Sequence, residues 1–168
     1  MSVPGGDIIA RLWWSALVAL VSLWSLAATV RGQPPEVPPG STPLPMHEMF
    51  ARQDSGIQQP RREVIRSAAQ WQSIEEALGP RRPAAPIDFG RSMVILAALG
   101  ERSAGGHAIT IEGVYRGGGR LWVVVREVTP GPDCMTIQVL TSPASAVSVP
   151  RSDEPVSFIE RTETRDCR

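Results

Sequence analysis

Residues 107–128 read HAITIEGVYRGGGRLWVVVREV, and this stretch decides the fold. In its first half, Ile109 and Ile111 alternate with Thr110 and Glu112, the two-residue period of a strand with one apolar face. Gly117, Gly118 and Gly119 follow, and they take positive φ without a Cβ clash, as a tight hairpin turn demands. Leu121 to Val128 (LWVVVREV) then returns as the partner strand. The unit is a β-hairpin.

The same signals recur outward from it. Ser92 to Gly100 (SMVILAALG) is a continuous apolar run between turn residues, the pattern of a strand buried on both faces. Beyond the turn Pro130-Gly131-Pro132-Asp133, Cys134 to Thr141 (CMTIQVLT) alternates and predicts another strand. Arg61–Arg66, Val147–Pro150 and Val156–Ile159 predict three more. One helix interrupts the series: Ser67 and Gln70 form a capping box, and Trp71, Ile74 and Leu78 share a face. Gly79 and Pro80 stop it, and the spacing makes Trp71 a core anchor. About seven short strands with one amphipathic α-helix near the start predict a mainly β fold. The expected architecture is an antiparallel β-sandwich or partly open barrel, with the helix plugging one end or covering an edge.

Three regions precede and include that domain. Residues 1–32 carry Arg11, the apolar run Leu12 to Val30 and then Arg31, the layout of a signal peptide or an N-terminal membrane anchor. An export h-region runs to about 15 residues and a spanning helix needs about 20, so length leaves both readings open. Either one places the remainder outside the cytoplasm: periplasmic, in the cell envelope or secreted. No cysteine adjoins a cut after Ala27 or Gly32, which argues against a lipid-modified N-terminus. Residues 33–54 are proline-rich and read as a semi-rigid linker. Residues 55–168 form the β-rich domain.

Seventeen cationic and seventeen acidic side chains balance, so no field steers the chain to nucleic acid. Membrane contact is expected only through residues 12–30, if they are retained. In an oxidising compartment the two cysteines, Cys134 and Cys167, are expected to form a structural disulfide worth about 3–4 kcal/mol. His47 and His107 offer no metal-ligand spacing, and neither a metal nor a cofactor is expected.

No catalytic constellation emerges. Asp88 suits hydrogen bonding to turn amides. Glu112 and Glu127 lie on adjacent strands and offer a carboxylate pair if they share a face; as a solvated hairpin face they do nothing chemical. Gly100–Gly106 (GERSAGG) lacks the lysine and helix of a phosphate loop, and neither G-x-S-x-G nor H-E-x-x-H occurs.

Three ordered segments carry a resemblance: Pro86–Val94 (PIDFGRSMV), Gly100–His107 (GERSAGGH), and Thr141-Ser142-Pro143-Ala144 with Val147–Pro150. Together they resemble the C-terminal domain of the PrcB family, named for a subunit of a bacterial protease complex, over roughly Ser55 to Ile159. The resemblance implies a protein-interaction domain that associates with or stabilises a secreted or envelope protease. The family's "G-x-R-x-x-G-G-Y" turn places Arg102, Gly105, Gly106 and His107 in a binding loop, with His107 replacing the aromatic. Its "t-x-P-Y" segment adds Ser142 and Pro143, with Ala144 replacing the second aromatic.

The glycine turn is also similar to a loop of chagasin-type protease inhibitors, which present three loops to a protease cleft. That alternative uses Ser103–His107, Gly117–Gly119 and Ser142–Ala144 together. A third reading, a cell-wall or carbohydrate-binding module, draws on Trp71, Tyr115 and Trp122.

Overall fold

The computed structural model describes residues 36–81 and 86–167. The apolar segment 12–30, read as an export signal or anchor, lies outside them. Eight strands form two four-stranded sheets, and one helix covers one of the sheets. The strands are β1 (Thr42–Pro43), β2 (His47–Arg52), β3 (Arg61–Ile65), β4 (Ser92–Ala98), β5 (Ala108–Gly117), β6 (Arg120–Pro130), β7 (Ala144–Pro150) and β8 (Val156–Arg165), and α1 is Ala68–Leu78. One sheet runs β1-β5-β6-β8 and the other β2-β7-β4-β3. All pairs are antiparallel except β6 with β8, which run parallel from Leu121↔Val156 to Pro130↔Arg165.

β4 explains the layering. Met93, Ile95, Ala97 and Leu99 enter the core between the sheets, beside Ile109, Ile111, Val123 and Val125. Val94, Leu96 and Ala98 point the other way, against Trp71, Ile74 and Leu78 of α1. The strand is thus buried on both faces, which is why its sequence is apolar without alternation. Each fully buried Ile or Leu here contributes about 1.5–3 kcal/mol from apolar burial. The helix therefore lies flat on the outer face of the second sheet rather than at an end or an edge. Ser67 Oγ accepts from Gln70 N at 3.3 Å, while Gln70 Oε1 reaches back to Arg66 N at 2.9 Å, one residue before the usual capping-box donor. Gly79 closes the helix at φ 55° with its amide on Glu75 O.

Two further sequence expectations fail. The stretch read as a linker supplies structure: β1 pairs with Tyr115 and Arg116, and β2 completes the second sheet against β7. Phe50 is the buried side chain of β2, so its local apolar signal is weak and its partner lies far along the chain. Cys134–Thr141, read as a strand, joins no named strand; residues 134–140 form an exposed loop between β6 and β7. Pro130 and Pro132 before it and Pro143 after it remove ladder donors.

The registers define two ends. Ala98, Ala108, Val128, Ala144 and Arg165 gather at one, where the 134–140 loop emerges. Gly117, Arg120, Pro150 and Val156 gather at the other, the hairpin end. A strand the length of β5 separates them by about 30 Å. The chain enters the domain at the hairpin end, since Thr42 pairs with Arg116.

Candidate functional site: an apolar loop on a glycine cradle

Residues 134–141 are held at both ends and at one point between. Cys134 is joined to Cys167 with a Cα–Cα distance of 5.1 Å, as expected. The parallel pairing of β6 and β8 makes this bond possible, because it brings the two C-terminal ends together at Pro130↔Arg165. At the far end, Thr141 exchanges backbone hydrogen bonds with Arg102 at 2.8 and 2.9 Å, and Thr141 Oγ1 donates to Ala104 O at 3.2 Å. Midway, Gly105 N donates to Ile137 O at 3.0 Å.

The glycines are what let the loop lie so close. A Cβ on Gly105 would sit 3.0 Å from Ile137 Cγ1, and one on Gly106, at φ +91°, 3.4 Å from Pro130 and 3.5 Å from Thr136. Gly105 and Gly106 thus support the loop from beneath. Above this cradle Met135 is fully exposed at 102%, with Ile137 at 72%, Leu140 at 67% and Val139 at 44%. Among the described residues the only other exposed large apolar side chain is Met46. A cluster of this kind, roughly 500 Å² in extent, is at the upper end of what a monomeric surface carries.

The other expected site residues are structural pins or lie elsewhere. Arg102 frames the cradle, with a guanidinium nitrogen 4.0 Å from Glu127. His107 is half-buried at the start of β5, and its Nδ1 is a buried atom without a hydrogen-bond partner. Ser142 ties β7 to the segment after β2: its carbonyl accepts from Ser55 N and Oγ at 3.0 and 2.6 Å, and its Oγ accepts from Gly56 N at 2.9 Å. Pro143 O accepts from Leu99 N at 2.9 Å. Ala144 is fully buried in the helix-side core, so the family's second aromatic position is a packing position here. Gly117, Gly118 and Gly119 sit at the hairpin end, with Gly118 and Gly119 at φ +63° and +71°. The three loops of the inhibitor analogy therefore do not converge on one surface.

The two carboxylates considered for chemistry do not face each other either. Glu112 stands at a β-bulge and pairs with Arg126 at 2.7 Å and Arg161 at 3.7 Å. Glu127 shares the parity of Val123 and Val125 and turns toward Arg102. Glu163, by its hydrogen bond, and then Glu112 hold the Arg126 guanidinium above its ordinary pKa, keeping this face a settled ion-pair network. Asp88 caps its own turn, Oδ1 accepting from Gly90 N at 2.9 Å. Trp71 is buried in the core, and Trp122 is half-buried, with Nε1 donating to Gly117 O at 3.1 Å and Arg120 over its ring at 5.4 Å. Neither is a free stacking platform.

Sequence reading missed the exposure of Met135, Ile137, Val139 and Leu140, although one signal was available. From Cys134 to Pro150 there is no charged residue, although only its second half, Ala144–Pro150, is a buried strand. No curated protein and no solved structure matches the chain. Residues 93–150, spanning β4 to β7 with the glycine cradle and the apolar loop between them, match the family model described as PrcB C-terminal, the family whose motifs the sequence resembles.

Proposed function

We propose that this chain is an exported, non-catalytic interaction domain that associates with or stabilises a secreted or envelope protease. The observation that carries the proposal is the apolar 134–140 loop, exposed yet fixed by a disulfide and a backbone bridge. A fixed loop on a rigid sandwich loses little conformational entropy on docking, so its apolar burial is retained as affinity. The match of residues 93–150 to PrcB C-terminal supports a protease complex as the setting. The apolar run 12–30 and the disulfide support an oxidising compartment. Affinity purification of the full chain from its native envelope tests the reading. A protease co-purifying in stoichiometric amount is the expected result; the absence of any stoichiometric protein refutes it.

A further inference from the structure

We infer that residues 135–140 receive an extended polypeptide segment of the partner by strand addition, an inference that rests on the protein-binding role above. Three observations converge on this occupant. First, apolar Met135, Ile137 and Val139 alternate with Thr136 and Gln138, the spacing at which one face of an added strand meets side chains. Second, the backbone is unpaired where it matters. Ile137 O takes Gly105 N and Val139 N, but the amides of Met135, Thr136, Gln138 and Leu140 make no hydrogen bond among the described residues. A neighbouring peptide backbone supplies both the donors and the acceptors such a row lacks.

Third, the loop lacks the protection that a long edge strand of this fold carries. β8 borders its sheet along ten residues and carries Glu160, Arg161, Glu163 and Arg165, the charges that keep an edge from pairing with other chains. The 134–140 loop has no charge and no proline, the composition of a segment that pairs when left uncovered. β8 is a charged, protected edge, and the 134–140 loop is uncharged and uncovered.

Rival occupants fit less well. Hydrocarbon leaves unpaired peptide groups unsatisfied, so a lipid surface is a poor match for an irregular backbone. The chain also enters the domain at the hairpin end, away from this loop. A second copy pairing loop to loop would bury roughly 1,000 Å² in all, short of the about 1,200–2,000 Å² of a stable interface. The partner segment is therefore extended, apolar at alternate positions and uncharged at its centre.

A displayed library of short random peptides, panned on the full chain, is the probe. Enriched peptides are expected to alternate apolar residues, and N-methylation of their amides in turn is expected to abolish binding at every second position only. Ile137→Lys is expected to weaken binding at least about tenfold, since it removes a buried apolar side chain from the complex. Arg161→Ala on β8 is expected to change nothing, and unaltered thermal unfolding of the Ile137→Lys chain keeps the comparison valid. No enrichment, or N-methyl effects without alternation, overturns the inference. So does a dimer of the full chain, or its sedimentation with phosphatidylglycerol vesicles, that Ile137→Lys abolishes. Undiminished co-purification of a protease with Ile137→Lys overturns the inference while leaving the protein-binding role intact. Peptide binding in a chain that captures no native protein does the reverse.

Discussion

Replacing both Cys134 and Cys167 by Ser tests how far the tied loop contributes to the fold. The bond closes a loop of sequence separation 33. Releasing a closure of that length gives the unfolded chain about 12.5 cal/mol/K, or about 3.7 kcal/mol at 25 °C. For a domain of this size that corresponds to a fall in Tm of roughly 10–20 °C. The native state should survive the change. β8 remains paired from Val156 to Arg165, Ile159 stays buried, and Arg62 still grips Glu160 with two bonds of 2.8 and 3.0 Å. Urea unfolding of the oxidised chain and the double variant, followed by far-UV circular dichroism, measures the difference. The m-value should rise in the variant, because a chain without the cross-link exposes more surface when unfolded. Hydrogen exchange should show protection lost at position 134 and at Gly105, whose amides bond Gly131 O and Ile137 O, and kept along β8. A stability change below about 1 kcal/mol with an unaltered m-value would refute the reasoning.

Three further outcomes follow from the geometry. Gly100→Ala should destabilise by at least about 1–2 kcal/mol, because the residue sits at φ +75° and its Cβ would lie 2.7 Å from Gln58 O; chemical unfolding reads this directly. Trp71→Ala should cost about 3–5 kcal/mol by opening a cavity between α1 and the sheet, measured the same way, with far-UV circular dichroism showing whether α1 stays formed. The Glu154 carboxyl is held below the usual carboxylate range by the Ser152 hydroxyl and then by Arg116. Its folded pKa being depressed, the stability it contributes is present above its unfolded pKa and is lost as pH falls through the folded value. Ser152→Ala should therefore raise the Glu154 pKa toward that of a free carboxylate, as a carbon-detected NMR titration would show, and an unmoved titration would assign the shift to Arg116 alone.

Much of the fold is legible in the sequence because it is written locally. The hairpin of β5 and β6, the doubly buried run of β4 and the capped helix each carry their signal within a dozen residues. What escaped is non-local. β2 buries only Phe50 and is a strand because β7 pairs with it. β8 continues past Ile159 through a charged stretch that looks like a tail; backbone pairing to β6 and ion pairs such as Arg126 with Glu163 hold it. The register also had to be known to separate the two carboxylates: Glu127 pairs with Ile109 and shares its inward parity, while Glu112 takes the outward position after Ile111 and meets Arg126. The apolar loop misled for the opposite reason: its alternation is that of a strand, and no strand of the described chain pairs with it. Gly105 and Gly106, read in the sequence as part of a binding loop, lie beneath the apolar loop in the fold, a placement that needs the register of distant residues.

The parallel seating of β8 against β6 has a consequence for biogenesis. β8 is translated after every other strand of this fold, so during synthesis the hydrogen-bonding edge of β6 is unpaired along a valine-rich run, Val123 to Val125. Such an open apolar margin is sticky, and pairing it requires a contact between segments separated by the whole of β7, a slow step. Docking of that last segment brings Cys134 and Cys167 to a Cα–Cα distance of 5.1 Å, so completion of the sheet favours the sulfur–sulfur link. Sheet completion and covalent closure therefore reinforce each other at this end of the fold.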